Sequence, residues 1–152
     1  MTIGWRHAKT FEEAEVVRTL RNAGRTWFHS SQHISTEQQR RWWAEMVVLP
    51  PGEFACLLVG DPIAGYGMLR RREGRFWVSL AVDPSMQGLG VGADIYRLLA
   101  RQAPARAPVY AAIRQDNRAS LRAAQKAGYA AAAVNAPDVV EVQEWIVLRG
   151  PT

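Results

Sequence analysis

The residues with the clearest chemical potential are Gln87, Gly88, Leu89, Gly90, Val91 and Gly92, which follow Val82-Asp83-Pro84-Ser85-Met86. Three glycines recur at every second position. Glycine has no side chain to hold a bound group away, so backbone amides can approach an oxyanion closely. The first N–H groups of a helix lack partners within it and carry the positive end of its dipole. A glycine loop that opens a helix therefore suits a diphosphate. Two familiar phosphate loops do not fit. The nucleotide P-loop ends in Gly-Lys-Ser/Thr, whereas Gly92 is followed by Ala93 and Asp94. The dinucleotide fingerprint G-x-G-x-x-G is also absent. The competing reading is a strand–helix connection without a ligand.

The elements that must position this loop are legible on both sides of it. Residues 76–82 read as a strand leading in, and residues 93–102 as a helix leading out, with Ile95, Leu98 and Leu99 on its buried face. Upstream, residues 2–8 predict a first strand. Thr10 with Glu13 predicts a capping box at the start of a helix, with its apolar stripe at Ala14, Val16, Val17 and Leu20. Asn22 to Gly24 ends that helix. A loop over 25–34 follows, then a helix over 36–46 capped by Ser35 or Thr36 and stopped by Pro50-Pro51-Gly52. Strands are expected over 54–59, 63–70 and 75–82, joined by short turns and hence antiparallel. Arg70-Arg71-Arg72 reads as a solvated hairpin tip. Downstream, a strand over 109–113 is reached through the helix and so runs parallel to 76–82. A helix over 118–127 and a hairpin of 129–135 with 139–148 complete the chain.

The length, 152 residues, suits one domain with a real core. The apolar runs are too short to span a membrane, and residues 1–6 lack a signal-peptide core. The lone cysteine, Cys56, sits in an apolar run and reads as packed core; together these features read as a cytoplasmic protein. Net charge is +5, nearly all from arginine. The arginines are spread along the chain, without the basic helix that duplex binding would need, so a polyanionic small molecule fits them better than nucleic acid. The three histidines show no metal-ligand spacing.

A second motif is Asn117-Arg118-Ala119-Ser120 followed by Gly128-Tyr129. Gln-x-x-Gly-x-Gly after Val-Asp-Pro, with this asparagine helix behind it, resembles the GNAT N-acetyltransferase superfamily from end to end of the chain. On local grounds Asn117 is also a good N-cap. The resemblance implies a single α/β (α+β) domain over residues 1–152. Its mixed, mostly antiparallel sheet would have about seven strands flanked by four helices, in the order β-α-α-β-β-β-α-β-α-β-β. It further implies acetyl-CoA as co-substrate, no metal, and direct transfer of acetyl to a primary amine. The coenzyme would lie against Leu80, Ala81, Val82, Gln87, Gly88, Leu89, Gly90, Val91, Gly92, Ala93, Asn117 and Ser120. Many members carry an acid tyrosine seven residues after the asparagine, and some a glutamate base five before it. This chain has Ala124 and Ala112 there. Positioning alone supplies much of a rate acceleration. Substitutes to weigh are Tyr129, Tyr110, Ser79, His29 and His33, with His29 first and Tyr129 next. Tyr129 also reads as packing at the helix end.

In the same family the acceptor site is built by the first inter-helix loop, which implies Arg21, Asn22, Trp27, Phe28 and His29 as substrate contacts. Leu20-Arg21-Asn22, Phe28, Ile34-Ser35-Thr36-Glu37 and Trp42 resemble the N-terminal region of members acting on nucleotide-linked amino sugars, of the pseudaminic acid pathway type. Gln39 stands where that branch has histidine. Against this, Phe28, Trp42 and Trp43 also read as core. The expected acceptor is therefore a small-molecule amine, an amino sugar among the options; the fold also allows a homodimer. Two alternatives stay open: acetylation of a protein N-terminus, lysine or aminoacyl-tRNA, and a non-catalytic acyl-CoA-binding module.

Overall fold

The computed structural model describes residues 3–24, 27–28, 32–137 and 145–151. The expected element order is found. It runs β1 (Trp5–His7), α1 (Phe11–Ala23), α2 (Thr36–Met46), β2 (Phe54–Val59), β3 (Gly65–Arg72), β4 (Arg75–Val82), α3 (Val91–Gln102), β5 (Val109–Arg114), α4 (Arg118–Lys126), β6 (Ala130–Ala131) and β7 (Trp145–Arg149). The strands form one mixed sheet in the order β1-β2-β3-β4-β5-β7-β6. Among the described residues only β4 and β5 are parallel, because α3 carries the chain across between them.

Local chemistry fixes most boundaries. The Thr10 hydroxyl accepts from the Glu13 amide, and Glu13 Oε1 accepts from the Thr10 amide, both at 3.2 Å. Ser35, not Thr36, caps α2: its hydroxyl accepts from the Gln38 amide at 3.1 Å while Gln38 Oε1 accepts from the Ser35 amide at 2.8 Å. Helix α3 begins two residues earlier than the sequence suggests. Gly90, at φ 83, supplies the left-handed turn that ends the loop, so Gly92 falls inside the first helical turn. Strand β3 starts and ends two residues later than expected, and the tight turn Glu73-Gly74 has positive φ at both positions. Of the final hairpin, β6 is two residues long; residues 138–144 lie outside the described residues.

The sheet separates two apolar layers. On one face α3 and α4 pack over Leu57, Val59, Leu69, Val109, Ala111 and Ile113, with Ile95 and Leu99 fully buried. On the other face Val17 and Leu20 of α1 meet Cys56, Leu58 and Tyr66. Cys56 is core as expected, and burial pushes its thiol up to about 12. The glycines of β3 set the distance between α3 and the sheet. A Cβ on Gly67 would lie 2.8 Å from Ile95 Cγ2 and 3.0 Å from Leu99 Cδ1.

Candidate active site

β4 and β5 hydrogen-bond only at Phe76↔Val109 and Trp77↔Tyr110. Beyond those pairs each strand stays with its other neighbour. β4 follows β3 as far as Val82↔Gly65, and β5 follows β7 as far as Arg114↔Trp145. The two strands therefore part after Trp77 and Tyr110 and leave a wedge, narrow at Val78 and wide at Val82. A cavity of about 950 Å³ runs through this wedge from one face of the sheet to the other.

At the wide end lies the glycine loop. Among the described residues, none of the backbone amides from 88 to 93 donates to a backbone carbonyl; the first helical bond is Asp94 N–H to Gly90 O, 3.2 Å. Gly88 and Gly90 both have positive φ, and a Cβ on either would meet nothing within 4 Å, so the space above these amides is open. Gln87 ties the loop to the strand end by donating from Nε2 to the Val82 carbonyl, 3.2 Å. Gly92 has a packing role: its Cβ would come 3.3 Å from that of Ala123, so the bare backbone lets α3 approach α4.

Helix α4 forms the next wall. Asn117 Oδ1 accepts from the Ser120 amide at 3.2 Å, which makes Asn117 the N-cap and leaves its Nδ2 donors for other partners. Arg118, Arg122 and Lys126, four apart and so on one face, all line the cavity. The Ser120 and Tyr96 hydroxyls lie 2.6 Å apart. Burial pushes Tyr96 up to about 12. It is thus protonated at neutral pH and can donate a hydrogen bond. It is a poor acid toward a thiolate whose own pKa is roughly 8.5.

On the opposite face the wall is made by Arg21, Gly24, Trp27, Phe28, Trp42 and Phe54, with Met68, Arg70 and Arg72 of β3 and Trp77, Ser79 and Ala81 of β4. The Arg21 guanidinium lies over the Phe28 ring, 4.4 Å from its centroid, and burial pulls Arg21 below its ordinary value. No carboxylate or imidazole lines this face among the described residues. The Ser79 hydroxyl is beside that of Tyr66, which is shut in without a partner in good geometry.

The sequence-based candidates divide clearly. Leu80, Ala81, Val82, Gln87, Gly88, Gly90, Val91, Gly92, Ala93, Asn117 and Ser120 all line the cavity. Leu89 does not; its side chain is 67% exposed. Arg21, Trp27 and Phe28 line it, but Asn22 does not. Asn22 holds Ile34 instead, accepting from its amide at 2.8 Å and donating to its carbonyl at 2.9 Å. His29 lies outside the described residues. His33 is exposed beside Asn22 Nδ2, 3.4 Å away. Tyr129 is buried off the wall, its hydroxyl donating to the Tyr96 carbonyl at 2.8 Å, and Tyr110 meets Trp77 in a tilted contact with centroids 5.6 Å apart. Ala124, at the usual tyrosine position, is fully buried. Sequence reasoning missed Tyr96, Trp77 and the basic row of α4. It also misread the arginine triplet: Arg70 and Arg72 face the cavity, while Arg71 points away to Glu53 at 3.3 Å. Strand alternation was the available signal, since 68, 70 and 72 share a face.

A model of the acetyltransferase (GNAT) family matches residues 16–129, a span that includes both the glycine loop and the Asn117 helix. The chain belongs to the GNAT family. Similar solved structures include a GNAT superfamily phosphinothricin acetyltransferase from Sinorhizobium meliloti in complex with acetyl-CoA. Its TM-score is 0.78 at 12% identity, covering 99% of this chain and 89% of that one. Another is yncA from Salmonella typhimurium with acetyl-CoA, with a TM-score of 0.73 and 19% identity over 98% and 91% of the two chains. A third is a ribosomal-protein-alanine N-acetyltransferase from Brucella melitensis, with a TM-score of 0.72 and 19% identity over 96% of each chain. At these identities the likeness is one of fold. No protein of curated function matches the sequence. As for the amino-sugar branch, two residues that carried that likeness are scaffolding here: Asn22 clamps Ile34 and Ser35 caps α2. Gln39, which departs from that branch, is buried and donates from Nε2 to the Ala14 carbonyl at 2.6 Å.

Proposed function

We propose that this GNAT enzyme moves an acetyl group from acetyl-CoA directly to the primary amine of a small molecule, amino sugars among them. The observation that carries the reading is the run of amides without backbone acceptors, 88–93, at the wide end of a wedge that opens between two parallel strands. The residues fit the coenzyme. The amides would hold its diphosphate, as helix N-termini hold anions generally. Arg118, Arg122 and Lys126 would add charge for the phosphates. The free edge of β4 at Leu80, Ala81 and Val82 offers backbone groups to an extended amide-bearing arm, as an added strand would use them, and Asn117 Nδ2 offers one more donor. When bound, acetyl-CoA supplies an activated thioester for the amine to attack.

The chain's own part is then mainly positioning. Arg21, Trp27 and Phe28 would orient the acceptor against the apex of the wedge. Tyr96 with Ser120 supplies a polar, protonated pair on the coenzyme side. With no carboxylate or imidazole on the described acceptor wall, the amine would lose its proton to solvent before attack. The test is a thiol-release assay with acetyl-CoA across amino sugars and other small amines. The reading expects amine-dependent release that Gly90→Glu abolishes. Tight acetyl-CoA binding with no release for any amine would overturn it in favour of a non-catalytic acyl-CoA-binding module.

A further inference from the structure

The acceptor side of the cavity holds a cation, Arg70, that no described residue neutralises. Arg70 is half-buried in β3 and lines the cavity. Among the described residues its side chain has no ion pair, side-chain hydrogen bond or ring contact; Arg71, its neighbour on the other face, has Glu53. A guanidinium in a cavity wall with no carboxylate beside it draws an anion to that wall. Directly across the strands, in register with Arg70, stands Trp77, whose ring lines the same cavity and whose Nε1–H is buried without an acceptor. Arg72 and Arg21 line the same cavity, and the described acceptor wall has no acidic residue. The cavity's described carboxylate, Asp116, lies at the start of α4 on the coenzyme side and is paired with Arg114 at 3.0 Å.

The geometry points to an acceptor amine that carries an anionic group, carboxylate or phosphate, on or beside a flat apolar body, with Arg70 as the residue that selects it. The inference rests on the acetyltransferase reading. With the diphosphate at 88–93, an arm running back along β4 ends at the narrow end of the wedge, at Val78 to Leu80. The amine must then arrive on the opposite face at the level of Ser79. Ser79 pairs with Met68 and Trp77 with Arg70, so Arg70 lies two strand residues from that level. At about 3.4 Å per residue this is about 7 Å. The acceptor's amine and anion should therefore be separated by roughly that distance. The planar fork of Arg70 matches a carboxylate or phosphate in two-point contact, and Trp77, Trp42 and Phe54 give flat walls for the body between.

The experiment uses 4-(aminomethyl)benzoate, whose amine and carboxylate are separated by about that span, and its amide analogue 4-(aminomethyl)benzamide, which keeps the amine and lacks the anion. Binding is followed by tryptophan fluorescence at saturating CoA, and turnover by thiol release, for the native chain, Arg70→Gln and Arg70→Lys. The native chain should favour the benzoate over the benzamide by roughly ten- to a hundredfold, the usual effect of a charged hydrogen bond. Arg70→Gln should erase that preference and Arg70→Lys should keep part of it. Equal or better use of the benzamide, no saturable binding of either probe, or a preference that survives in Arg70→Gln would overturn the inference. Calorimetry of acetyl-CoA with the same proteins separates the two readings. Unchanged acetyl-CoA affinity in Arg70→Gln shows an intact fold. Failure of the native chain to bind acetyl-CoA would sink the transferase reading while leaving an Arg70-dependent anion site standing.

Discussion

Gly90 carries the most at the scale of single residues. Its φ of 83 is one that an L-residue adopts only with strain, and its neighbours' amides face open space. A side chain there would stand over the amides, and a negative one would also repel phosphate. Ser79 lines the acceptor face and Tyr96 the coenzyme face, and among the described residues no carboxylate or imidazole lines the acceptor face. On the proposed reading the pH dependence comes from the substrate. For two acceptor amines of different pKa, the rise of kcat/KM should follow each amine's own ionisation, with the inflection moving between them. An inflection fixed at one pH for both amines would reveal a basic group on the enzyme and contradict this account. Asn22 illustrates how a residue's role can hide in the sequence. It was legible as a helix-end residue, and the family resemblance implied a substrate contact for it. Its partner is Ile34, twelve residues on, a pairing that only the folded chain displays. Asn22→Ala leaves the Ile34 amide without its acceptor and should cost about 1–3 kcal/mol in urea unfolding, with acetyl-CoA affinity unchanged.

Among the elements, β3 and α3 set the shape of the site together. Two glycines interrupt β3 where α3 crosses it, so the helix sits close enough for its N-terminus to close the wide end of the wedge. Gly67→Ala should destabilise the fold by about 1–3 kcal/mol, the usual effect of overpacking. Acetyl-CoA binding should weaken as well, because the N-terminus of α3 is displaced with the helix. A thermal melt and a titration on the same variant check both. These glycines looked in the sequence like breaks in a strand, and the structure shows them to be its contact with a helix. Caps and turns were readable because each depends on residues three or four apart: Thr10 with Glu13, Ser35 with Gln38, Asn117 with Ser120. The acceptor wall was not. It depends on sheet register, Arg70 beside Trp77 and Met68 beside Ser79, and no local pattern states a register. The first strand of the final hairpin was overdrawn for a related reason. Residues 130–133 are all alanine, which favours strand weakly; Ala130 and Ala131 form the strand, and Ala132 adds one hydrogen bond to Val147.

For the whole molecule, the parting of β4 from β5 divides the cavity into a coenzyme face, made by α3 and α4, and an acceptor face, made by α1, α2 and the middle of β3 and β4. Positive charge lies on both faces: Arg118, Arg122 and Lys126 on one, Arg21, Arg70 and Arg72 on the other. That distribution places part of the arginine excess on two faces of one cavity. The central claim is that the glycine loop at the wide end of the wedge binds acyl-CoA. Calorimetric titration of acetyl-CoA into the native chain and into Gly90→Glu tests it most directly. Micromolar binding by the native chain, lost in a variant that keeps its cooperative unfolding, is the predicted result. Equal binding by both proteins, or none by the native chain, would contradict it.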